Sequence, residues 1–336
     1  MLLTSAIAAV GAHLPARIRT TDETEARLRD ENPGVALPLG LIRRMTGVQG
    51  VHEREPGEQA SDLAAHAARQ ALDASPEPVD LLLFASASQD LLEPATSHIV
   101  ADALGLDVPV FDVKNACNSV LNAMQVAHGL IVSGQARRVL IASGETPTSA
   151  VRWKVADRHQ FVRSFPGYSM SDAGAALVLE AVPERAGSRG IVGLAFSAAS
   201  RHWRIGTLPM GGSMRPRDLD ATYFDIDGRA LQRAFLALGP ELITDLLARS
   251  GVALDDLDLV LMHQVAEPHL APIAERLGLA VDRILPTVAQ HGNLASATLP
   301  VQLRHALDAG LVGPGSLVLL VGLAGGISLG AAVVRL

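Results

Sequence analysis

Asp80-Leu-Leu-Leu-Phe84 is echoed by Asp258-Leu-Val-Leu-Met262, and Val139-Leu-Ile-Ala142 by Val318-Leu-Leu-Val321, with offsets that agree to within one residue. Between the members of each pair the same order of elements recurs. A helix ends in Leu-Gly-Leu (Ala103 to Leu106; Arg276 to Leu279), and a short strand follows (Val108–Val113; Ile284–Val288). A polar turn then leads into a long helix (Ser119–Val132; Ala297–Ala309). An earlier amphipathic helix precedes each first echoed strand, Ala60–Ala74 and Arg229–Arg249. Continuous apolar runs alternating with helices predict sheets covered on both faces. Two such units predict a duplicated α/β protein with pseudo-twofold symmetry. The polar run Pro183-Glu-Arg-Ala-Gly-Ser-Arg-Gly190 predicts the junction, with halves at 1–183 and 184–336.

The duplication directs attention to strand ends, where ligands bind in α/β folds. Cys117, the only cysteine in 336 residues, stands in Asn115-Ala-Cys-Asn-Ser119, between a β-rich run and a helix. Val120, Leu121, Met124, Ala127, Leu130 and Ile131 give that helix its apolar period. A thiol beside a helix N-terminus meets free N–H groups and the positive end of the macrodipole, so a favoured thiolate is expected. The other reading of a lone cysteine is a small buried residue. By the internal symmetry, the Cys117 turn corresponds to Gln290-His-Gly-Asn-Leu294, and Met262-His263-Gln264 corresponds to Phe84-Ala85-Ser86. Cys117, His263 and Asn293 are therefore all expected at C-terminal ends of strands.

Composition narrows the function classes. Apolar residues make up 49% and charged residues 19%, which suits a large buried core. One cysteine excludes an internal disulfide framework and fits a reducing, cytoplasmic setting. A net charge of −7 and 3% aromatic residues give neither a basic footprint nor a stacking platform for nucleic acid. Ser316 to Val334 carries no charge, but Gly322, Gly325, Gly326 and Gly330 divide it into strand lengths. It reads as strand, glycine turn and strand rather than a membrane helix. The apolar N-terminus, Met1 to Gly11, has no basic residue before it and does not read as a signal peptide. His263, Glu267 and His269 lack a metal-site spacing, and no dinucleotide or phosphate-loop glycine pattern is present, so no metal or cofactor is expected.

In these motifs the chain resembles the ketoacyl-ACP synthase III branch of the thiolase superfamily. Asp112-Val-Lys-Asn-Ala-Cys117 resembles the nucleophile motif, His263-Gln264-Val265 the histidine motif and His291-Gly292-Asn293 the asparagine motif. Leu323-Ala-Gly-Gly-Ile-Ser-Leu-Gly330 is similar to the C-terminal glycine loop; Thr46-Gly47-Val48 and Ser171-Asp172-Ala173-Gly174-Ala175 also match. The resemblance spans essentially the whole chain. It implies a five-layer αβαβα fold and an acyl group carried on Cys117. It also implies an oxyanion hole from the N–H groups of Cys117 and Gly326, and hydrogen bonds from His263 and Asn293 to the enolate of a second thioester.

Asp90-Leu-Leu-Glu93-Pro-Ala-Thr96 refines the resemblance, because its Leu-Glu-Pro element is similar to the enzyme joining two fatty acyl-CoA molecules head to head in bacterial olefin biosynthesis. That likeness implies Glu93 as a base acting in the partner subunit's site. A solvated loop charge is the other reading. The starter enzymes' adenine-stacking tryptophan near Thr46-Gly47 is replaced by Leu41, Ile42, Arg43 and Arg44, so Arg43 and Arg44 are candidates for CoA phosphates. The expectation is a condensing acyltransferase of lipid or natural-product biosynthesis. It would take acyl-CoA or acyl carrier protein thioesters and work as a homodimer or with a sister subunit. A decarboxylating enzyme using a malonyl thioester, an acyltransferase to an alcohol or amine, and a non-catalytic partner subunit remain as alternatives.

Overall fold

Leu81, Leu83, Val139 and Ile141 point to one side of a sheet, while Leu82, Phe84, Leu140 and Ala142 point to the other, and all are buried. The strands are apolar throughout because both faces are covered. The computed structural model describes residues 2–185 and 187–336; Met1 of the apolar N-terminus and Ala186 of the polar connection lie outside them. The first sheet runs, in spatial order, Leu3–His13, Ala173–Pro183, Arg138–Glu145, Leu81–Ala85, Val110–Val113. The second runs Gly190–Ala198, Ser328–Arg335, Leu317–Ala324, Leu259–Met262. Leu81 pairs with Val139 in the first, and Leu259 with Val318 in the second, both in parallel. The two echoed sequence pairs are thus neighbouring strands in nearly the same register. Asp80 and Asp258 serve equivalent roles, each accepting backbone N–H bonds at the start of the adjacent strand (Arg137 N at 2.8 Å; Leu317 N at 2.8 Å).

Five layers follow from the core clusters. Helix Ala60–Ala74 covers the outer face of the first sheet. Helices Gly228–Leu236, Glu241–Arg249 and Leu270–Arg276 cover the outer face of the second. Between the sheets lie Ser119–Val132 and Thr298–Asp308, whose Leu121, Met124, Leu299 and Leu303 share one core with strands of both halves. The outer helix of the first half lies unusually close to its sheet. A Cβ on Gly144 or Gly174 would stand 1.8 or 1.9 Å from a carbonyl oxygen of that helix, so only glycine permits the contact.

Three expectations need correction. The expected helix Arg229–Arg249 is two helices, because Gly239-Pro240 interrupts it. The expected strand Ile284–Val288 is only a single parallel bridge between Val260 and Ile284, since Pro286 offers no N–H to extend the ladder. The strand expected at Val108–Val113 begins at Val110. The uncharged C-terminal stretch forms the hairpin Leu317–Ala324 and Ser328–Arg335. Among the described residues no helix is long and apolar enough to cross a membrane.

Candidate active site

Cys117 follows the edge strand Val110–Val113 and lies two residues before helix Ser119–Val132. The turn is tight: Asn118 N donates to Asn115 O (3.0 Å), and Ser119 N and Oγ both donate to Ala116 O (3.1 and 2.7 Å). Ala116 is forced to φ 46°, a left-handed conformation that costs a non-glycine residue about 1 kcal/mol or more. Asn118 does not cap its own helix. Its Nδ2 reaches the other half and donates to Ser328 Oγ (2.9 Å) and Ser328 O (3.3 Å). That bond ties the residue after Cys117 to the end of the glycine turn Ala324–Ser328, in which Gly326 has φ 82°.

The favoured thiolate is not what the structure shows. The Cys117 thiol is pushed up from 9.0 to about 12, first by burial and then by the charge of Glu145. That rise is roughly 4 kcal/mol against the thiolate, whereas a helix terminus contributes about 0.3–1 kcal/mol and rarely ~2. Desolvation wins, and the resting site holds a neutral thiol.

His263 follows strand Leu259–Met262, and its backbone N donates to Val321 O on the neighbouring strand (2.8 Å). The side chain is 3% exposed, and burial lowers its pKa from 6.5 to about 4, so the ring is neutral at physiological pH. Nδ1 lies 3.2 Å from Thr298 Oγ1, whose own hydroxyl lies 2.8 Å from Ala295 O and donates to it. With that hydrogen committed, Thr298 accepts from His263, the ring proton sits on Nδ1, and Nε2 is a lone-pair acceptor. Nε2 is buried and has no partner among the described residues. The expected donation from His263 to an enolate therefore requires Nε2 to gain a proton first, or Thr298 to turn its hydroxyl toward Nδ1.

Asn293 is held by its backbone. Its N donates to Ser169 O (2.9 Å), and its O accepts from Ser171 N (3.0 Å). Gly292, at φ 68°, lets the chain pass so close that a Cβ there would stand 2.7 Å from Ser169 O. Asn293 Oδ1 accepts from Ala295 N (2.9 Å), which leaves the Nδ2 hydrogens without a partner among the described residues. A preorganised pair of donors is what a developing oxyanion requires.

Two serines and a glutamate, none of them singled out from sequence, connect these groups. Glu145 ends strand Arg138–Glu145 and is 1% exposed. It lies close enough to Cys117 to act on its thiol, and it bonds Ser296 in the turn between Asn293 and Thr298 (2.5 Å). Ser88 Oγ donates to its other oxygen (3.1 Å). Glu145, Ser296, Asn293, Thr298 and His263 thus share one buried polar chain through the turn 295–298, and the half-buried Cys117 stands beside it at Glu145. The only sequence signal was a lone glutamate closing an otherwise uncharged strand interior. Asp112 of the nucleophile motif has a structural role, accepting from the N–H groups of Thr96 and Ser97 (3.0 and 2.9 Å). A narrow, mostly apolar cavity of about 10 Å³ opens beside His263, against Phe235, Met262, Leu270 and Leu323.

The remaining candidates lie elsewhere on the chain. Glu93 is exposed, in a loop with Leu91 (51% exposed) and Leu92 (66%), and is not joined to the buried chain. Arg43 and Arg44 are exposed on the short helix Leu41–Thr46, and neither forms an ion pair among the described residues.

Known proteins align with this arrangement. The family described as 3-Oxoacyl-[acyl-carrier-protein (ACP)] synthase III matches residues 111–199, and the C-terminal region of the same family matches 247–336. The β-ketoacyl-[acyl-carrier-protein] synthase III of Rhodospirillum rubrum is 33% identical, over 99% of this chain and 99% of its own. Among solved structures, cerulenin-bound Xanthomonas campestris OleA superimposes with a TM-score of 0.89, covering 100% of this chain and 98% of that one at 24% identity. FabH of Pseudomonas aeruginosa gives 0.85, covering 99% and 98% at 25% identity. The five layers are thus those of the thiolase fold, and the chain belongs to the 3-oxoacyl-ACP synthase III family, the acyl-transferring ketosynthases of the thiolase superfamily.

Proposed function

We propose that this protein condenses two acyl thioesters head to head, with Cys117 as the acyl carrier, and that Glu93 supplies the base from a partner subunit. The observation that carries the reading is the buried chain beside Cys117, from Glu145 through Ser296 to the turn bearing Asn293 and the ring of His263. In the first half-reaction the Cys117 sulfur bonds the acyl carbon while the proton passes to His263 Nε2. The N–H groups of Cys117 and Gly326 hold the oxyanion. The departing CoA or carrier-protein thiolate then takes that proton, so charge balances. In the second half-reaction Glu93 takes the Cα proton of a second acyl thioester, and the enolate, held by Asn293 Nδ2 and by the Nε2–H tautomer of His263 once Thr298 turns its hydroxyl toward Nδ1, attacks the acyl-cysteine. The Cys117 thiolate leaves and a β-ketoacyl thioester forms.

A simple acyl thioester needs a base at Cα, and a decarboxylating reaction on a malonyl thioester does not. Glu93 is exposed beside Leu91 and Leu92, and the edge strand next to it presents Phe111 (41% exposed), which supports a homodimer contact there. The exposure of Glu93 also keeps the decarboxylating reading in play, because a single chain leaves it outside the site. Arg43 and Arg44 would meet the phosphates of CoA or of a carrier's phosphopantetheine.

Intact mass after incubation with acyl-CoAs and acyl carrier proteins should show one adduct in wild type and none in Cys117→Ala. Glu93→Gln should still acylate, yet lose condensation of simple acyl thioesters by about two orders of magnitude or more. Mixing it with Cys117→Ala subunits should restore part of that activity, since one mixed site keeps both groups. Undiminished condensation in Glu93→Gln would reject Glu93 as the base and leave the malonyl reading.

A further inference from the structure

Glu145 is a carboxyl group with no cation beside it. It is 1% exposed, and among the described residues no arginine, lysine or histidine pairs with it. Its bonded neighbours are Ala87 N on Oε1 (2.9 Å), Ser88 Oγ on Oε2 (3.1 Å), and Ser296 through Oγ (2.5 Å) and N (3.4 Å). The titratable side chain that feels it is Cys117, from the turn before helix Ser119–Val132; the other bonded groups, from the loop after Leu81–Ala85 and from turn 295–298, are serines and backbone amides.

We infer that Glu145 is a positioning residue, protonated in the resting site, that donates to Ser296 to hold the turn carrying Asn293 and keeps a second negative charge away from the Cys117 sulfur. The hydrogen-bond count favours that state. Ser296 Oγ lies 3.1 Å from Ala85 O and 2.9 Å from Ser143 Oγ as well as 2.5 Å from Glu145. If Glu145 donates, the Ser296 hydrogen is free for Ala85 O, and Ser143 can donate to Ser296. Every oxygen is then used. If Glu145 is ionised, Ser296 must turn to it, and Ala85 O loses that donor inside a buried layer. Burial acts in the same direction by raising the Glu145 pKa.

The consequence is chemical. An ionised Glu145 would oppose formation of the thiolate, whereas a neutral one leaves the sulfur free to give up its proton when a thioester arrives. The inference rests on Cys117 being the reactive thiol, but its test reads thiol chemistry and not condensation. Failure here and failure of the proposed function are therefore separable.

Because Cys117 is the only cysteine, iodoacetamide alkylation followed by mass reports it without ambiguity. With Glu145 neutral, Glu145→Gln and wild type should alkylate at rates within about threefold of each other at pH 6–7. At alkaline pH, once wild-type Glu145 has ionised, the variant should be faster by about tenfold, one unit of thiol pKa. A variant several-fold faster already at pH 6, with a constant ratio above it, would mean that Glu145 is ionised at rest and would overturn the inference. Equal rates across the whole range would overturn the coupling. If Glu145→Gln does not fold, the wild-type profile suffices. Its log rate must rise, flatten where Glu145 ionises, and rise again; a single unbroken slope refutes the proton on Glu145.

Discussion

The neutral ring of His263 has a measurable signature in stability. Its pKa falls from 6.5 in an exposed chain to about 4 in the folded one, so the unfolded state binds a proton that the native state refuses. The sign follows from linkage: the contribution is fully present above pH 6.5 and is lost as pH falls through the window from 6.5 to about 4. At about 1.4 kcal/mol per pH unit, roughly 2 kcal/mol is lost by pH 5 and roughly 3 kcal/mol by pH 4. His263→Asn removes the titrating group while keeping a polar side chain near Thr298. A chain of this length has an unfolding entropy of about 0.7 kcal/mol/K, so 2 kcal/mol corresponds to about 3 °C. Thermal melts of both proteins at pH 7.5, 6, 5 and 4.5 should therefore show their difference in Tm moving by about 3 °C in favour of the variant between pH 7.5 and 5. Any constant offset at pH 7.5 is irrelevant; only the change with pH is read. A difference that stays flat would refute a neutral, desolvated His263 and with it the acceptor role of Nε2.

Two further outcomes follow from the geometry. Gly322→Ala would place a Cβ 2.0 Å from Asn118 Oδ1 and 2.6 Å from Leu121 Cδ1, against an Asn118 already fastened to Ser328. It should cost about 1–3 kcal/mol, lower Tm by about 1–4 °C and slow acylation of Cys117 in a mass assay, because Asn118 follows it. Asn293→Ala should still let Cys117 acquire its acyl group while product formation falls by about two to three orders of magnitude; equal loss of both in a single-turnover experiment would assign Asn293 to the first half-reaction instead.

Sequence and structure divide the explanation unevenly. The duplicated halves were legible because each strand is a short apolar run covered on both faces, and its pattern survives without knowledge of its neighbours. Echoes such as Leu81–Phe84 and Leu259–Met262 become equivalent strands in matching register for that reason. Cys117 and His263 stood out because α/β sheets present ligands at strand ends and each follows a readable strand; Asn293 follows the short helix Val288–His291 and stood out only through the family resemblance. Local propensity failed where a single residue breaks the ladder or the helix, as at Pro286 and Gly239-Pro240.

The charge state of the site was beyond the sequence altogether. A helix N-terminus beside Cys117 suggested a thiolate, but desolvation keeps it a thiol. Glu145 is 151 residues from Ser296 along the chain, and Thr298, which selects the proton-bearing nitrogen of His263, is 35 residues from the ring it orients. Apolar periodicity is a property of neighbours in sequence, and it determined the fold. Desolvation and hydrogen-bond partnership are properties of neighbours in space, and only the packing of the two halves decided those.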